Sequence, residues 1–566
     1  MSLETAENIK ITSQIINYPN RQGRNITAFY DYIDRQPQNN NLIIIPPAYG
    51  ETKKDSLKIS YFLVRNGFNC IRYDSTDHVG ESYGDMLDAS FEKMKDDLLS
   101  TLDFSETELK VSGVGLAGTS LGIRIGIKAA SLDNRIKLIL GLVPIVDIQS
   151  SLRAIYHQDI LAEVMEGMYK GKTIDDIMGF EVSIDFALSA IKYKYHNLDT
   201  TFDDIKMADI PLVMISAEND PWSDPKSVQA VLEHSPSKNK EFILIPNAMH
   251  QLNENPEAAI FAIQQTVIKC KKYLLAQTIS PKEVIIPSED EMSRQWLIEE
   301  ERLKILLKKD LEGEKAFWEK YLNKFLLINK SRDYRDFLKQ VSEMLDIRQA
   351  ERVLDAGCGN GHFGAWILHE LIHKISNDKI PWDKFVAPEY FGLDFVENRI
   401  KEGRLKHLNM LRRIYRELCI RERYRIINYR YILADLDARL PFRDNFFDKI
   451  CSNLVLSYVL DAQFSANELC RTLKQGGKII ISSMKPFADF SQIYRDFADQ
   501  TQGEGELEEA RKLLSAAGKI KQKESAGIYN FFCEGELKAL LVNAGIKNIT
   551  IVRSFSNQAN IALGEK

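Results

Sequence analysis

Gly118-Thr119-Ser120-Leu121-Gly122 follows the apolar run Val111–Ala117 and leads into the helix-like stretch Ile123–Ala130. Strand, Gly-x-Ser-x-Gly and helix together describe a nucleophile elbow, a turn that holds its serine in a strained backbone conformation. Bulk beyond hydrogen at Gly118 or Gly122 would crowd the neighbouring elements, so glycines flank the serine. The hydroxyl then points off the sheet, and the N-terminus of the following helix favours negative charge beside it. A serine used this way needs a base, an orienting carboxylate and an oxyanion site elsewhere in the chain.

A chain of 566 residues exceeds one ordinary core, so at least two domains are expected. Hydrophobic residues make up 44% and charged residues 27%, the balance of a globular protein. The net charge of −6 gives no general reason to expect nucleic-acid binding. Cysteines 70, 270, 358, 419, 451, 470 and 533 are scattered without a Cys-x-x-Cys, which points to neither a disulfide framework nor zinc. The polar start MSLETAENIK shows no signal peptide, and no apolar run approaches the roughly 20 residues that span a bilayer. A cytoplasmic protein is the expectation.

Upstream of the elbow, Ile11–Tyr18, Asn25–Tyr30 and Asn41–Pro46 read as strands. The last runs into Pro47-Ala48-Tyr49-Gly50. In enzymes with such an elbow this loop donates one oxyanion N–H, from Ala48 or Tyr49, and Leu121, after the nucleophile, donates the other. Phe68–Tyr73, Ile136–Pro144, Pro211–Ser216 and Glu241–Ile245 continue the strand series. Between Val146 and Ile205 the pattern is helical and irregular, with Met165, Met168, Tyr169, Met178, Phe180 and Phe186. These residues fit either a cap packed on the sheet or a cap lining an apolar tunnel.

Acyl transfer by serine requires an imidazole to take the proton and a carboxylate to fix its tautomer. Asp220 and His250 both follow predicted strands, and the chain order Ser120, Asp220, His250 suits an α/β-hydrolase. Asp224 is a rival orienter; His78, His157, His196 and His234 are the other histidines of this half.

The first 305 residues or so resemble the acyl transferases (acyl thioesterases) of bacterial luminescence operons. The resemblance rests on Asn66-Gly67-Phe68, Arg72-Tyr73-Asp74-Ser75, His78-Val79-Gly80, Asn219-Asp220, Trp222, His250, Leu252, Glu254-Asn255 and Glu301-Arg302-Leu303-Lys304. It implies long-chain acyl carrier protein or acyl-CoA thioesters as substrates, with Ser120, Asp220 and His250 as nucleophile, acid and base. The elbow differs from the family's Ala-x-Ser-x-Ser, so the resemblance implies the reaction class and not the acceptor or chain length.

From Glu289 to about Ile347 the chain is charged and helical in period, a connector between domains at 1–288 and 348–566. Trp296, Phe317, Trp318, Tyr321, Leu322 and Phe325 recur in it and fit a packed linker or a lid.

The second domain opens with Arg352-Val353-Leu354-Asp355-Ala356-Gly357-Cys358-Gly359-Asn360-Gly361. Glycines at 357, 359 and 361 let the backbone approach a ligand that any Cβ would push away. The wording Leu-Asp-Ala-Gly-Cys-Gly-x-Gly resembles motif I of class I methyltransferases. That resemblance implies S-adenosylmethionine as cofactor, its amino acid part beside the loop. Later signposts keep the order: Tyr390–Asp394, with Asp394 for the ribose hydroxyls; Tyr431–Leu436, with Asp435 and Leu436 beside the adenine; and a fourth strand ending Cys451-Ser452-Asn453. The fold expected is therefore α/β: an α/β-hydrolase domain, then a Rossmann-like methyltransferase domain.

Asn453 is followed by Leu454-Val455-Leu456 and not by a Pro-Pro-aromatic signature, which argues against DNA as substrate. A small or carrier-bound methyl acceptor is the expectation. The basic stretch Arg399–Arg430 fits a solvated face, a docking surface for an acidic carrier or an RNA site. His362, His369 and His373 lack acidic company at ligand spacing, so no metal is expected. An alternative reading makes the hydrolase-like domain a binding module for a methyltransferase acting on a small molecule or RNA.

Overall fold

Short apolar runs bounded by turns become a parallel sheet once both faces are covered by helices. In the computed structural model, which describes residues 10–34, 40–156, 158–168, 174–178, 180–307, 314–315, 317–319, 331–377, 380–381, 383–419, 425–486, 488 and 520–566, the chain forms two compact units. The first runs to Leu307 and includes residues 520–526; the second holds the remainder.

In the first unit, β1 (Ile11–Pro19) and β2 (Asn25–Ile33) pair antiparallel. β3 (Leu42–Ile45), β4 (Asn69–Tyr73), β5 (Val114–Thr119) and β6 (Ile136–Leu142) follow. The region read as helical and irregular contains a small hairpin, β7 (Ile174–Ile177) and β8 (Phe180–Val182), among the helices Ile148–Tyr156, Ile160–Met165, Ile184–Lys192 and Leu198–Ile205. Isolated hairpins leave little periodicity in so short a segment. β9 (Leu212–Ala217) and β10 (Lys240–Ile245) complete an eight-stranded sheet in the order β1-β2-β4-β3-β5-β6-β9-β10. That order is the α/β-hydrolase fold. Strands β3 to β6 and β9 carry the core, with Ile43, Ile44, Leu116, Leu138, Leu140 and Val213 fully buried.

The helix Glu289–Leu307, read as the start of the connector, belongs to the first unit. Its Glu299 reaches the buried Arg72 of β4 through two contacts of 2.6 Å, and Asp31 of β2 meets the same guanidinium at 2.6 Å. Arg65–Glu291 at 2.5 Å and Arg302–Glu81 at 2.6 Å tie down the rest of the helix. Arg72→Met would leave Asp31 and Glu299 buried without their cation. A loss of about 3–5 kcal/mol in unfolding free energy is expected from urea titration. A loss under about 1 kcal/mol would show that water replaces the guanidinium.

The second unit begins its described helices with Arg332–Leu345. Its strands are β11 (Arg352–Ala356), β12 (Glu389–Asp394), β13 (Asn428–Leu433), β14 (Phe447–Asn453), β15 (Leu473–Met484), β16 (Lys547–Ser554) and β17 (Ala559–Glu565). They lie in the order β13-β12-β11-β14-β15-β17-β16, with β17 antiparallel to both neighbours. This is the Rossmann-like methyltransferase arrangement. β13 begins three residues earlier than its apolar reading, because Asn428–Leu433 pairs with Glu389–Asp394 at the sheet edge, where polar residues are tolerated. Asp435 consequently sits in the turn beyond the strand.

His157, Tyr169, Tyr321, Leu322, Phe325, Arg421 and Arg423 lie outside the described residues.

Candidate functional site

β5 delivers Ser120 at a φ of +49°, a left-handed value costly for a residue with a Cβ. A Cβ on Gly118 would lie 3.1 Å from the Pro46 ring, and one on Gly122 would lie 2.8 Å from the Pro46 carbonyl oxygen and 3.0 Å from that of Pro47. The glycine at 122 therefore lets the loop after β3 press its backbone against the first turn of the helix Ser120–Ala130.

His250 Nε2 stands 3.0 Å from Ser120 Oγ, and His250 Nδ1 stands 2.7 Å from Asp220 Oδ2. The carboxylate fixes the imidazole proton on Nδ1, leaving Nε2 to accept from the serine hydroxyl. Asp220 Oδ1 accepts from the backbone N–H groups of Trp222 at 2.9 Å and Ser223 at 3.0 Å, which set the carboxylate's angle. The Trp222 ring packs 4.4 Å from the imidazole, and both residues are buried. Asp224, the rival orienter, is exposed and caps the helix Pro225–His234, accepting from Lys226 N and Ser227 N. Pro225 at the first helical position makes it a cap. His234 stacks on Phe202 at 3.7 Å.

The loop after β3 is held by contacts no local pattern announces. Gly50 N donates to His78 Nε2 at 3.2 Å, and burial pushes the His78 imidazole down to about 4, so it stays a neutral acceptor. Tyr49 spends its hydroxyl on the Ile177 carbonyl at 3.0 Å, and its ring meets Phe180 and Phe186. Ala48 is buried, and Glu51 N closes a turn onto its carbonyl at 3.2 Å. Phe180 and Phe186 are buried within the cap region, whereas Met165 and Met168 are 52% and 54% exposed and lie outside its core.

In the second unit, Gly357, Gly359 and Gly361 all have positive φ, at +79°, +51° and +76°. Gly357 N and Cys358 N donate to the Leu393 carbonyl at 2.7 and 2.9 Å, and Gly359 N donates to Asp394 Oδ2 at 2.8 Å. Asp394 Oδ1 accepts from Val396 N at 2.9 Å. The loop and the end of β12 thus form one hydrogen-bonded piece. A Cβ on Gly359 would meet nothing within 4 Å, while one on Gly361 would strike His407 at 2.7 Å. Gly359 faces open space; Gly361 serves helix packing.

Asp355 turns inward, where Tyr390 Oη donates to its Oδ2 at 2.5 Å and burial pushes the carboxyl up to about 6. Burial also raises Asp394. Asp435 Oδ1 accepts from Asp437 N at 3.0 Å, and the Leu436 side chain is buried in the core. Asn453, at the end of β14, keeps its side-chain amide shielded from solvent beside the Cys451 thiol. That amide and the space beside Gly359, at the ends of adjacent strands, fit a polar cofactor lying across β11, β12 and β14.

His407, which the sequence did not single out, donates from Nε2 to the Gly361 carbonyl at 2.8 Å and accepts at Nδ1 from the Tyr431 hydroxyl. His362 Nδ1 accepts from Lys406 Nζ at 2.9 Å, and burial pushes that imidazole down to about 3. Three basic residues of the helix Glu397–Glu417 pair within it, as Lys401–Glu397, Arg399–Glu402 and Arg413–Glu417.

A family model described as acyl transferase matches residues 20–309, and one described as methyltransferase domain matches residues 347–531. The acyl transferase of Photobacterium leiognathi is 27% identical over 227 residues, covering 39% of this chain and 69% of that protein. That of Photorhabdus luminescens is 28% identical over 223 residues, covering 39% and 71%. Among solved structures, Est1E from Butyrivibrio proteoclasticus with bound ferulic acid aligns with 46% of this chain and 98% of its own, at 18% identity and a TM-score of 0.38. The C-terminal part carries a methyltransferase domain, and such a domain implies S-adenosylmethionine as methyl donor. With more than half of its 566 residues inside the first match, the chain belongs to the acyl transferase family.

Proposed function

We propose that the protein is a bifunctional enzyme that transfers or hydrolyses an acyl group held as a thioester and methylates a small or carrier-bound molecule. The observation that carries the first activity is the unbroken chain of hydrogen bonds from Ser120 through His250 to Asp220. Ser120 Oγ attacks the thioester carbonyl while His250 Nε2 takes its proton. Asp220 stabilises the imidazolium that results. The Leu121 N–H, with an N–H at Ala48 or Tyr49, receives the oxyanion. His250 returns the proton to the departing thiolate, and an acceptor or water then releases the acyl group from Ser120.

For the second activity, Asp394 would hold the ribose hydroxyls and Asp435 the adenine amino group, with Leu436 next to it in the chain. The loop Gly357–Gly361 with Asp355 would border the amino acid part, and Asn453 would face the cofactor from the end of β14. When bound, S-adenosylmethionine supplies an electrophilic methyl group, and the residues around it contribute position. That the relatives are named acyl transferases supports an activated acyl donor, which we take to be an acyl carrier protein or CoA thioester.

The test is intact mass after mixing the protein with acyl carrier protein thioesters of several chain lengths. An added acyl mass, mapped by peptide fragmentation to Ser120, is expected for the preferred length. Neither adduct nor released acid at any length would reduce the first domain to a binding module.

A further inference from the structure

Glu51 is a carboxyl in the first unit that the steps above leave unused. It directly follows the oxyanion loop, to which its own N–H is bonded at the Ala48 carbonyl. Its Oε2 accepts from Thr119 Oγ1 at 3.3 Å, and Thr119 is the residue immediately before the nucleophile. The charged and titratable groups acting on it are Asp55 on the same loop, Lys521 and His250. Burial first, then Asp55, pushes its carboxyl up to about 7, against the pull of Lys521, the Thr119 hydroxyl and His250. A carboxyl so enclosed costs stability, and a leucine or glutamine would spare the fold that cost.

We propose that Glu51 is a positioning residue of the acyl-transfer site, whose carboxylate, anchored through Thr119, favours the positive charge His250 acquires when Ser120 gives up its proton. The inference rests on the triad reading above. The proton moves from Ser120 Oγ to His250 Nε2 and on to the leaving thiolate; Glu51 gains and loses none in the cycle. Its influence is electrostatic and reciprocal: a negative Glu51 raises the imidazole's proton affinity, and an imidazolium holds Glu51 ionised.

The readout is the pH dependence of labelling by a fluorophosphonate, which reports the nucleophile with no knowledge of the natural substrate. In Glu51→Gln the acid limb should move to lower pH by roughly half a unit, because the imidazole loses a neighbour that favours its charged form. The maximal labelling rate should fall several-fold. Thr119→Val, which releases the carboxyl from its anchor, should shift the limb in the same direction by less, and it decides the matter alone if the glutamine variant does not fold. Acid limbs that superimpose on wild type in the folded variants would overturn the inference, whatever happens to the maximal rate. Wild-type protein that takes no label on Ser120 would instead overturn the triad reading.

Discussion

Ser120→Ala is expected to lower acyl turnover by about 10⁴-fold or more while leaving affinity for S-adenosylmethionine unchanged. The alanine removes the oxygen that the strained turn at residue 120 positions 3.0 Å from His250 Nε2. Because the serine and its base act as one unit, His250→Ala should cost nearly as much, and the double variant should be no worse than either single one. Hydrolysis of a short p-nitrophenyl acyl ester measures the first quantity, and calorimetric titration with the cofactor measures the second. Turnover within tenfold of wild type would remove Ser120 from the reaction. Loss of both activities would mean that the substitution damages more than its own unit.

The second large effect concerns Asp394. Its carboxylate already holds the glycine-rich loop through Gly359 N and closes the turn after β12 through Val396 N. Hydrogen bonds to a charged acceptor are worth about 1.5–3 kcal/mol each. Losing two from the ribose hydroxyls in Asp394→Ala should weaken cofactor binding by about 150-fold or more. Release of the loop adds to that loss. Asp435→Ala, acting through one contact on a turn, should cost about tenfold. Titration calorimetry with S-adenosylhomocysteine separates the two variants without a methyl acceptor. Affinity of Asp394→Ala within about threefold of wild type would exclude this carboxylate from the ribose site. Fluorophosphonate labelling of Ser120 should be unaffected in both.

The two nucleating stretches were legible because each is a local device. Gly-Thr-Ser-Leu-Gly after an apolar run encodes a strand, a left-handed turn and a helix start within a dozen residues. Leu-Asp-Ala-Gly-Cys-Gly-Asn-Gly encodes a strand end and a backbone that must come close to something. Both parallel sheets follow from such units, since buried strands read as continuous apolar runs. The edge strand β13 was harder to read because only one side of it is paired, and its Asn428-Tyr429-Arg430 start looks like loop. The same held for the hairpin β7–β8 in the cap.

What the sequence by itself determined was the pair of folds, most of their parallel strands in chain order and which residue types stand at the ends of those strands. Only the tertiary structure decided among neighbours that look equivalent along the chain. Asp220 and Asp224 differ by four positions, yet one faces His250 and the other caps a helix. Trp222 against the imidazole, His78 under the loop after β3, His407 under Gly361 and Glu51 beside Thr119 each join segments far apart in sequence. Local patterns encode backbone conformation, whereas a side chain's charge state and partners depend on what the folded chain packs against it.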